Sequence, residues 1–330
     1  MHKNGDKRMK RTIVYGLGKA FNNITSDFFE KNNKEYFIIG VSDKKTPAEN
    51  FDSKYKFIDR DDITGTGFDV VLVTSDKYYE EIKNELVSLC SIEPERIASL
   101  KEVLSGYYAR CLHFDLFREK NGIEVGGPSF IFEGLYQIAK KIDGVNFSDN
   151  TLWWDKKSNQ YASHSGQVLG DVIIADAVDL SGIKDGQYDF YISSNNLEHI
   201  ANPMKAVAEM LRVTKNDVVI LLIVPKKDTN FDHNRDFTTF EHILDDYKNN
   251  IGEDDLTHLD EILEKHDYDM DKPCGGKENF YKRALKNIEN RGLHQHVFCP
   301  DVLKEMFSYF GCSVVECGAL VRDYYILVKK

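Results

Sequence analysis

The side chains best suited to acid–base or metal chemistry are concentrated in one stretch of this sequence, residues 226–298. Six of the ten histidines lie between His233 and His296, interspersed with aspartate, glutamate and arginine. Histidine changes its protonation state near neutral pH, so a positioned histidine can remove a proton from a hydroxyl or amine nucleophile. The candidate residues for this catalytic step are His199, His233, Glu241, His294 and His296.

Two other interpretations of the same stretch stay open. Imidazole and carboxylate groups are ligands of zinc and related ions. A metal-binding set would comprise His233, His258, His294 or His296 with Asp232 or Glu241. Each histidine could instead cap a helix or satisfy a buried polar group, and His199 could simply pack locally. For the group as a whole we favour substrate binding, and we predict no metal.

A second chemical feature is the turn Glu124-Val125-Gly126-Gly127-Pro128-Ser129. It follows an apolar run that predicts a strand at residues 122–125, and it precedes a helix-like segment at residues 130–140. Backbone N–H groups at such a turn and at a helix start favour a ligand that carries an anionic group. Glycine suits the turn because a Cβ would block both the backbone conformation and the close approach of the ligand.

The elements that position these residues alternate between strand and helix patterns. After the turn, further strands are predicted at residues 142–148, 170–180, 188–194, 218–224, 313–316 and 324–328, with helices at 202–213 and 301–310. This order predicts a doubly wound α/β domain over residues 106–330. Residues 226–298 then form an insert, which at the carboxyl edge of a parallel sheet usually builds a lid or a substrate pocket.

Residues 1–105 predict a smaller Rossmann-like α/β domain. A buried strand at residues 12–15 runs into Gly16-Leu17-Gly18, the beginning of a GxGxxG pattern in which Phe21 takes the place of the third glycine. A helix at residues 22–31 and a strand ending near Asp43 follow, and such an acid is where a dinucleotide fold holds a ribose hydroxyl. The domain either binds a nucleotide through these residues or serves positioning or partner contact.

An ordered series of short motifs carries a family resemblance. The motifs are Glu124-Val125-Gly126-Gly127, Gly144-Val145-Asn146-Phe147-Ser148, Asp176-Ala177-Val178-Asp179-Leu180, Tyr188-Asp189-Phe190, Asn196-Leu197-Glu198-His199-Ile200, Asn202-Pro203 and Leu211-Arg212-Val213. The series resembles class I S-adenosylmethionine-dependent methyltransferases. Within the insert, Phe231-Asp232-His233-Asn234-Arg235, Thr238-Thr239-Phe240-Glu241-His242 and His294-Gln295-His296-Val297-Phe298 are similar to motifs of a bacterial subgroup associated with surface polysaccharides.

The resemblance implies S-adenosyl-L-methionine as the cofactor and methyl transfer to an oxygen or nitrogen of a sugar, a nucleotide-sugar or a related precursor. It also implies the cofactor-binding residues. These are Glu124, Gly126, Gly127, Pro128 and Ser129 for the methionine part, Asn146, Phe147 and Ser148 for the ribose, Asp176 and Ala177 for the adenine, and Ser193, Ser194 and Asn195 along the methyl-transfer face. Asn146 stands where the family has an acid. An alternative is therefore a non-catalytic binding protein with a vestigial site, and another is an NAD-dependent enzyme that uses the first domain.

Composition limits the classes of partner. A net charge of −11 disfavours a nucleic-acid binder, which needs a basic face. No apolar run is long enough to span a membrane, and the basic residues at the start of the sequence lack the apolar core of a signal peptide. The six cysteines form no CxxC pair, which is typical of reduced thiols. We expect a cytoplasmic protein with a small-molecule or sugar-nucleotide substrate, and homodimer formation is left open.

Overall fold

The structure, a computed structural model, describes residues 8–18, 35–45 and 55–330. The chain divides into two compact units, Met1–Tyr107 and Tyr108–Lys330. Elements are numbered below as they occur in the described residues.

The first unit contains a four-stranded parallel sheet. Its strands are β1 (Lys10–Tyr15), β2 (Tyr36–Ser42), β3 (Val70–Val73) and β4 (Ile97–Ser99), in the order β2-β1-β3-β4. Helix α1 (Tyr79–Cys90) packs against this sheet through buried Leu86, and α2 (Leu100–Cys111) follows β4. The strands form here because their short apolar runs are buried on both faces, as is usual in parallel sheets.

The turn after β1 already uses the acid that the sequence assigns to a ribose. Gly16 has a φ of +102°, and the Asp43 carboxylate accepts a hydrogen bond of 2.7 Å from the Leu17 backbone N–H. Thr74 donates its hydroxyl to the Gly16 carbonyl at 2.8 Å. Asp43 therefore stabilises this turn directly. Phe21 and the predicted helix at residues 22–31 lie outside the described residues.

The second unit is built on an eight-stranded sheet. Its strands are β5 (Asn121–Val125), β6 (Lys141–Asn146), β7 (Gln160–Ala162), β8 (Val168–Ile174), β9 (Tyr188–Ser194), β10 (Thr214–Pro225), β11 (Ser313–Ala319) and β12 (Asp323–Lys329). Their spatial order is β11-β12-β10-β9-β5-β6-β8-β7. Five adjacent strands of the sheet, β8, β6, β5, β9 and β10, are parallel. Strand β12 runs antiparallel to β10, and β7 runs antiparallel to β8.

This topology confirms the predicted doubly wound α/β fold. The chain proceeds from β5 to β6 and β8 on one side and then returns to β9 and β10 on the other. The strand order thus reverses between β5 and β9, and ligands of such sheets generally bind at the carboxyl ends of the strands at this switch point. The glycine turn directly follows β5 and lies at the switch point.

Helices α3 (Glu133–Tyr136), α4 (Pro203–Val213) and α9 (Pro300–Tyr309) belong to the same unit. Helix α4 begins where the sequence predicts, because the Asn202 side chain accepts a hydrogen bond of 3.1 Å from the Lys205 N–H and proline occupies the first turn. Its apolar face, which includes Val207 and Met210, is buried in the same core as Ile220 and Leu222 of β10.

The segment after the glycine turn differs from the prediction. In place of a helix over residues 130–140, the structure has one 3₁₀ turn, Phe130–Phe132, and then the single turn of α3. The helix is short because residues just beyond it already hydrogen-bond back to the chain before β5. The Ile138 carbonyl accepts from the Glu119 N–H at 2.8 Å, and the Lys140 N–H donates to the Lys120 carbonyl at 2.9 Å. Any anion site here must therefore rest on the turn itself.

The insert, residues 226–298, is helical and has a small core of its own. Its helices are α5 (Phe240–Lys248), α6 (Leu259–Lys265), α7 (Lys277–Ala284) and α8 (Asn287–Asn290). Ile262, Phe280 and Leu293 are buried together between them. In the part of the chain that the structure describes, no helix combines the length and the apolar character needed to cross a bilayer.

Candidate cofactor site and active site

The two glycines of the turn leave no room for side chains. Gly126 has a φ of +84°, and a Cβ built on it would lie 2.6 Å from side-chain atoms of Asn196. A Cβ on Gly127 would lie 2.3 Å from both the Glu124 carboxylate and the Tyr161 hydroxyl. Glycine is therefore required at both positions, first by backbone conformation and then by space. The turn therefore packs closely against the side chains of Glu124, Tyr161 and Asn196.

Glu124 is a fully buried carboxylate at the end of β5. Its Oε2 accepts hydrogen bonds of 2.8 Å from the hydroxyls of Tyr136 and Tyr161. Its Oε1 has no hydrogen-bond partner among the described residues, and burial raises the pKa of Glu124 to about 7. A buried acceptor without a partner is unfavourable, so a ligand that donates a hydrogen bond or carries a positive charge is favoured beside it.

Asn196 supplies the complementary group. Its Nδ2 is buried without a hydrogen-bond acceptor among the described residues, and its side chain borders Gly126. An open donor and an open carboxylate oxygen on either side of the glycine turn match the carboxylate and the ammonium group of a free amino acid moiety. Asn196 is absent from the site residues predicted above, although the motif that carries it was recognised.

The predicted ribose and adenine residues lie at the ends of β6 and β8. Asn146 is buried, and its side-chain amide donates to the Gly127 carbonyl at 3.0 Å. Asp176 accepts from the Val178 N–H at 3.1 Å through Oδ1, while its Oδ2 pairs with Arg291 at 2.5 Å. The Arg291 guanidinium also lies 5.3 Å from the centre of the Phe147 ring. Asn146 thus supports the turn, and Arg291, which the sequence did not indicate, ties the insert to this end of the sheet.

The residues predicted to line the methyl-transfer face fix the strand ends. Ser193 is buried and donates its hydroxyl to the Val125 carbonyl at 2.7 Å, which joins β9 to β5. Ser194 is also buried. Asn195 has a φ of +49°, and its N–H donates to the Ile223 carbonyl at 2.9 Å. Ser193 therefore holds the ends of β5 and β9 together.

Shortly after Asn196 in the chain come Glu198 and His199, which form a second group of polar side chains with His294 and Asp232. This group is called the dyad pocket below. His294 Nδ1 lies 2.5 Å from Asp232 Oδ2, and Arg235 donates to Asp232 Oδ1 at 3.2 Å. His199 Nδ1 lies 3.0 Å from the Leu293 carbonyl, and its ring packs edge-on against His294 at 4.6 Å. The Gln295 N–H donates to the Glu198 carbonyl at 2.7 Å, so the end of the insert lies along the segment after β9.

Burial and the neighbouring charges shift the pKa values of the groups in the dyad pocket in different directions. Burial acts against protonation of His294, but the neighbouring Asp232 carboxylate outweighs burial and raises the pKa of His294. Burial acts against ionisation of Asp232, yet the His294 cation and Arg235 lower its pKa to about 2. Burial raises the pKa of Glu198 to about 7 and holds the pKa of His199 well below its ordinary value. His294 is therefore the basic member of the pocket, oriented by an ionised Asp232.

The other predicted catalytic residues are not part of this pocket. His233 lies 2.8 Å from Asp267 and is 35% exposed. Glu241 is exposed in the first turn of α5. His296 is buried in a different group of side chains, with His242, Asp246 and His258. Among the five candidates, only His199 and His294 contact each other. His233 and Glu241 lie elsewhere in the insert, and His296, two residues after His294, belongs to a different group of side chains.

The sheet order, the glycine turn after the first strand of the second unit and the open polar atoms beside it define the class I methyltransferase fold. Residues 123–222 match the family model described as "Methyltransferase domain". The protein is an S-adenosylmethionine-dependent methyltransferase, and the residues around Gly126 fit its cofactor. Residues 8–98 match the model described as "C2185-like, N-terminal".

Several solved structures are similar to this chain. A SAM-dependent methyltransferase from Aquifex aeolicus is 15% identical over 67% of this chain and 88% of its own, with a TM-score of 0.40. One from Mesorhizobium loti is 8% identical over 70% of this chain and 100% of its own, with a TM-score of 0.43. Magnesium protoporphyrin IX methyltransferase from Synechocystis PCC 6803, with bound SAH, is 11% identical over 70% and 83%, with a TM-score of 0.39. No curated protein matches the chain. Because these identities and TM-scores are low, the class rests on the sequence match and the topology.

We expect the binding of S-adenosylhomocysteine (SAH) to strengthen about tenfold between about pH 6 and about pH 8. The ligand's ammonium group favours an ionised Glu124, whose pKa in the free protein is about 7. Below that pH the protein must release a proton to bind. Calorimetry in two buffers of different ionisation enthalpy counts this proton.

The matched variant is Glu124→Gln, which should bind SAH weakly and with little dependence on pH. The stability of the protein without ligand should depend on pH in the opposite direction. Because folding raises the pKa of Glu124 from 4.5 to about 7, the free energy of unfolding falls as pH rises through that window, and the substitution should remove this loss. If SAH binding has the same pH dependence in both proteins, Glu124 does not meet the ammonium group.

Proposed function

We propose that this methyltransferase acts on a hydroxyl or amine of a sugar, a nucleotide-sugar or a related precursor of a surface glycan. The observation that carries the proposal is the dyad pocket, in which Asp232 orients a basic His294 and the neighbouring His199 contacts an exposed tryptophan. A sugar hydroxyl is a weak nucleophile, so its attack on a methyl group benefits from a base that takes its proton.

Trp153 supports a carbohydrate acceptor. It is 62% exposed, and its ring centre lies 4.7 Å from that of His199. An exposed indole next to polar groups offers a flat apolar surface with a polar rim, which suits the CH face of a sugar ring. Tyr161, which follows Trp153 in the sequence, is instead buried and donates to Glu124. Trp153 is therefore the aromatic residue we assign to the acceptor.

The residues of the chain divide the work as follows. When bound, S-adenosylmethionine supplies a methyl group activated by its sulfonium. The Nδ1–H of neutral His294 donates a hydrogen bond to the Asp232 carboxylate. The Nε2 lone pair of His294 is then available to take the proton of the nucleophile, which makes His294 a cation. The insert excludes water, because Arg291 joins it to the end of β8 and Gln295 joins it to the segment after β9. Holding acceptor and methyl group in line supplies most of the remaining rate enhancement.

The proposal is tested by measuring SAH formation from a panel of nucleoside-diphosphate sugars and free sugars, with amino acids and small phenols as comparison acceptors. We expect turnover with at least one sugar acceptor. Trp153→Ala should then raise KM for it about fivefold while SAH affinity stays unchanged, since one stacking contact is worth about 1 kcal/mol. Tyr281→Ala, at another exposed aromatic residue, is the control. Turnover confined to non-sugar acceptors would contradict the proposal.

We further propose a cytoplasmic location, which is supported by six cysteines that are scattered along the sequence without a CxxC pair. Homodimer formation stays a prediction, and light scattering of the purified protein measures it.

A further inference from the structure

The insert contains a second cluster, formed by His242, Asp246, His258 and His296 and called the histidine cluster below. One nitrogen or oxygen atom of each residue lies within 4.8 Å of those of the other three. His242 Nε2 is 3.1 Å from His258 Nε2 and 3.3 Å from Asp246 Oδ2. His296 Nε2 is 3.9 Å from Asp246 Oδ2.

These separations match a small coordination sphere. A zinc ion with four ligands at about 2.0–2.1 Å in a tetrahedron places neighbouring donor atoms about 3.3 Å apart. Two imidazole nitrogens and a carboxylate oxygen already lie at such distances here. Three imidazoles and one carboxylate are also a donor set that zinc accepts, whereas magnesium and calcium prefer oxygen ligands.

Several polar atoms of the histidine cluster are left without partners. Asp246 Oδ2 and His296 Nδ1 are buried, and neither has a hydrogen bond among the residues that the structure describes. Asp246 is 9% exposed and His296 is 1% exposed. A buried carboxylate oxygen and a buried imidazole nitrogen without partners are unfavourable, and a cation between them removes that penalty.

The elements around the cluster hold its members in place. His242 and Asp246 lie one helical turn apart on α5, so both project from the same face. The Asn202 side chain donates to the Asp246 backbone carbonyl at 3.1 Å, and His296 Nε2 lies 3.1 Å from the Ala201 carbonyl. Backbone carbonyls in such positions commonly orient ligand histidines.

We propose that His242, Asp246, His258 and His296 bind one Zn²⁺ ion, which fastens α5 and the start of α6 to the segment that carries His294. With four protein ligands the site is closed, which is typical of structural rather than catalytic zinc. Its role is to fix the insert over the active site, and it departs from the expectation of no metal drawn from the sequence. The ion is separate from the dyad pocket, so the proposal stands without any particular acceptor.

The test uses tag-free protein and zinc itself. We expect mass spectrometry of the metal content to find one zinc per chain after purification without chelator. Chelator treatment should lower Tm, and zinc should restore it. Cobalt added to the chelated protein should give the intense visible absorption of a tetrahedral site.

The discriminating variants are His242→Gln and His258→Ala, for which we expect zinc affinity at least about 100-fold weaker and no change of Tm with chelator. His242 has a side chain that is 41% exposed, so its substitution should leave folding intact. His233→Ala is the control, because His233 lies in the same insert but pairs with Asp267. Equal zinc affinity in the wild type and His242→Gln, or equal loss in His233→Ala, would overturn the proposal.

Discussion

Replacing Gly126 by aspartate should abolish SAH binding, with an increase in Kd of about 100-fold or more. Three effects add. A Cβ at residue 126 would lie 2.6 Å from the Asn196 side chain, and the φ of +84° is one that aspartate adopts only with strain. The new carboxylate would also stand where the ligand's own carboxylate approaches, so like charges would repel. Calorimetric titration of the purified variant with SAH measures the loss.

The control for this variant is Gly311→Asp. Gly311 also has a positive φ, of +77°, a Cβ on it meets nothing within 4 Å, and the residue is exposed in the same unit. The control should bind SAH like the wild type. Thermal unfolding of both variants separates a lost site from a lost fold. Gly126→Ala adds the Cβ without the charge and should fall between the two. Unchanged SAH affinity in Gly126→Asp would show that the cofactor does not bind at this turn.

Replacing His294 by glutamine should lower kcat about 10³-fold while SAH affinity stays within about twofold of the wild type. Glutamine preserves a hydrogen bond to Asp232 but cannot take a proton near neutral pH. The effect is confined to kcat because His294 lies in the dyad pocket, separate from the glycine turn at which we expect the cofactor to bind. Initial rates of SAH formation with the acceptor found in the panel give kcat, and calorimetry gives the affinity.

The pH profile distinguishes a base from a merely structural residue. Neutral His294 is the active form, so kcat/KM should rise with pH through the pKa of His294, which Asp232 raises. Asp232→Asn should shift this rise in kcat/KM to lower pH. Burial lowers the pKa of His294, and the variant lacks the carboxylate that opposes this effect. The control is His233→Gln, whose partner is Asp267 outside the pocket. A rise that stays at the same pH in His294→Gln would assign the proton transfer to another group.

The order of elements in the second unit is determined by the sequence itself. Apolar runs bounded by glycine or acidic residues must be buried in a sheet, and the run predicted at residues 218–224 is the centre of β10. Asn202 and Pro203 predict the start of α4 because one caps the helix and the other suits its first turn. The glycine turn is likewise evident from residue type, since a positive φ and a close approach both require glycine. The predicted length of the helix after the turn was wrong, because residues 138–140 form backbone hydrogen bonds with the chain before β5 instead of continuing the helix.

The pairing of the chemical groups was decided by the tertiary structure. Asp232 and His294 are 62 residues apart, Glu124 and Tyr161 are 37 apart, and Asp176 and Arg291 are 115 apart. Local patterns predict that the insert is rich in histidine and acid, but they carry no information on which turn of the insert folds back onto which strand end. Packing of the insert's small core and its contacts with the segment after β9 set those positions. The sequence therefore defines a methyltransferase sheet and the glycine turn after its first strand. Only the fold separates His294, which we propose as the base, from the histidines that we propose bind zinc.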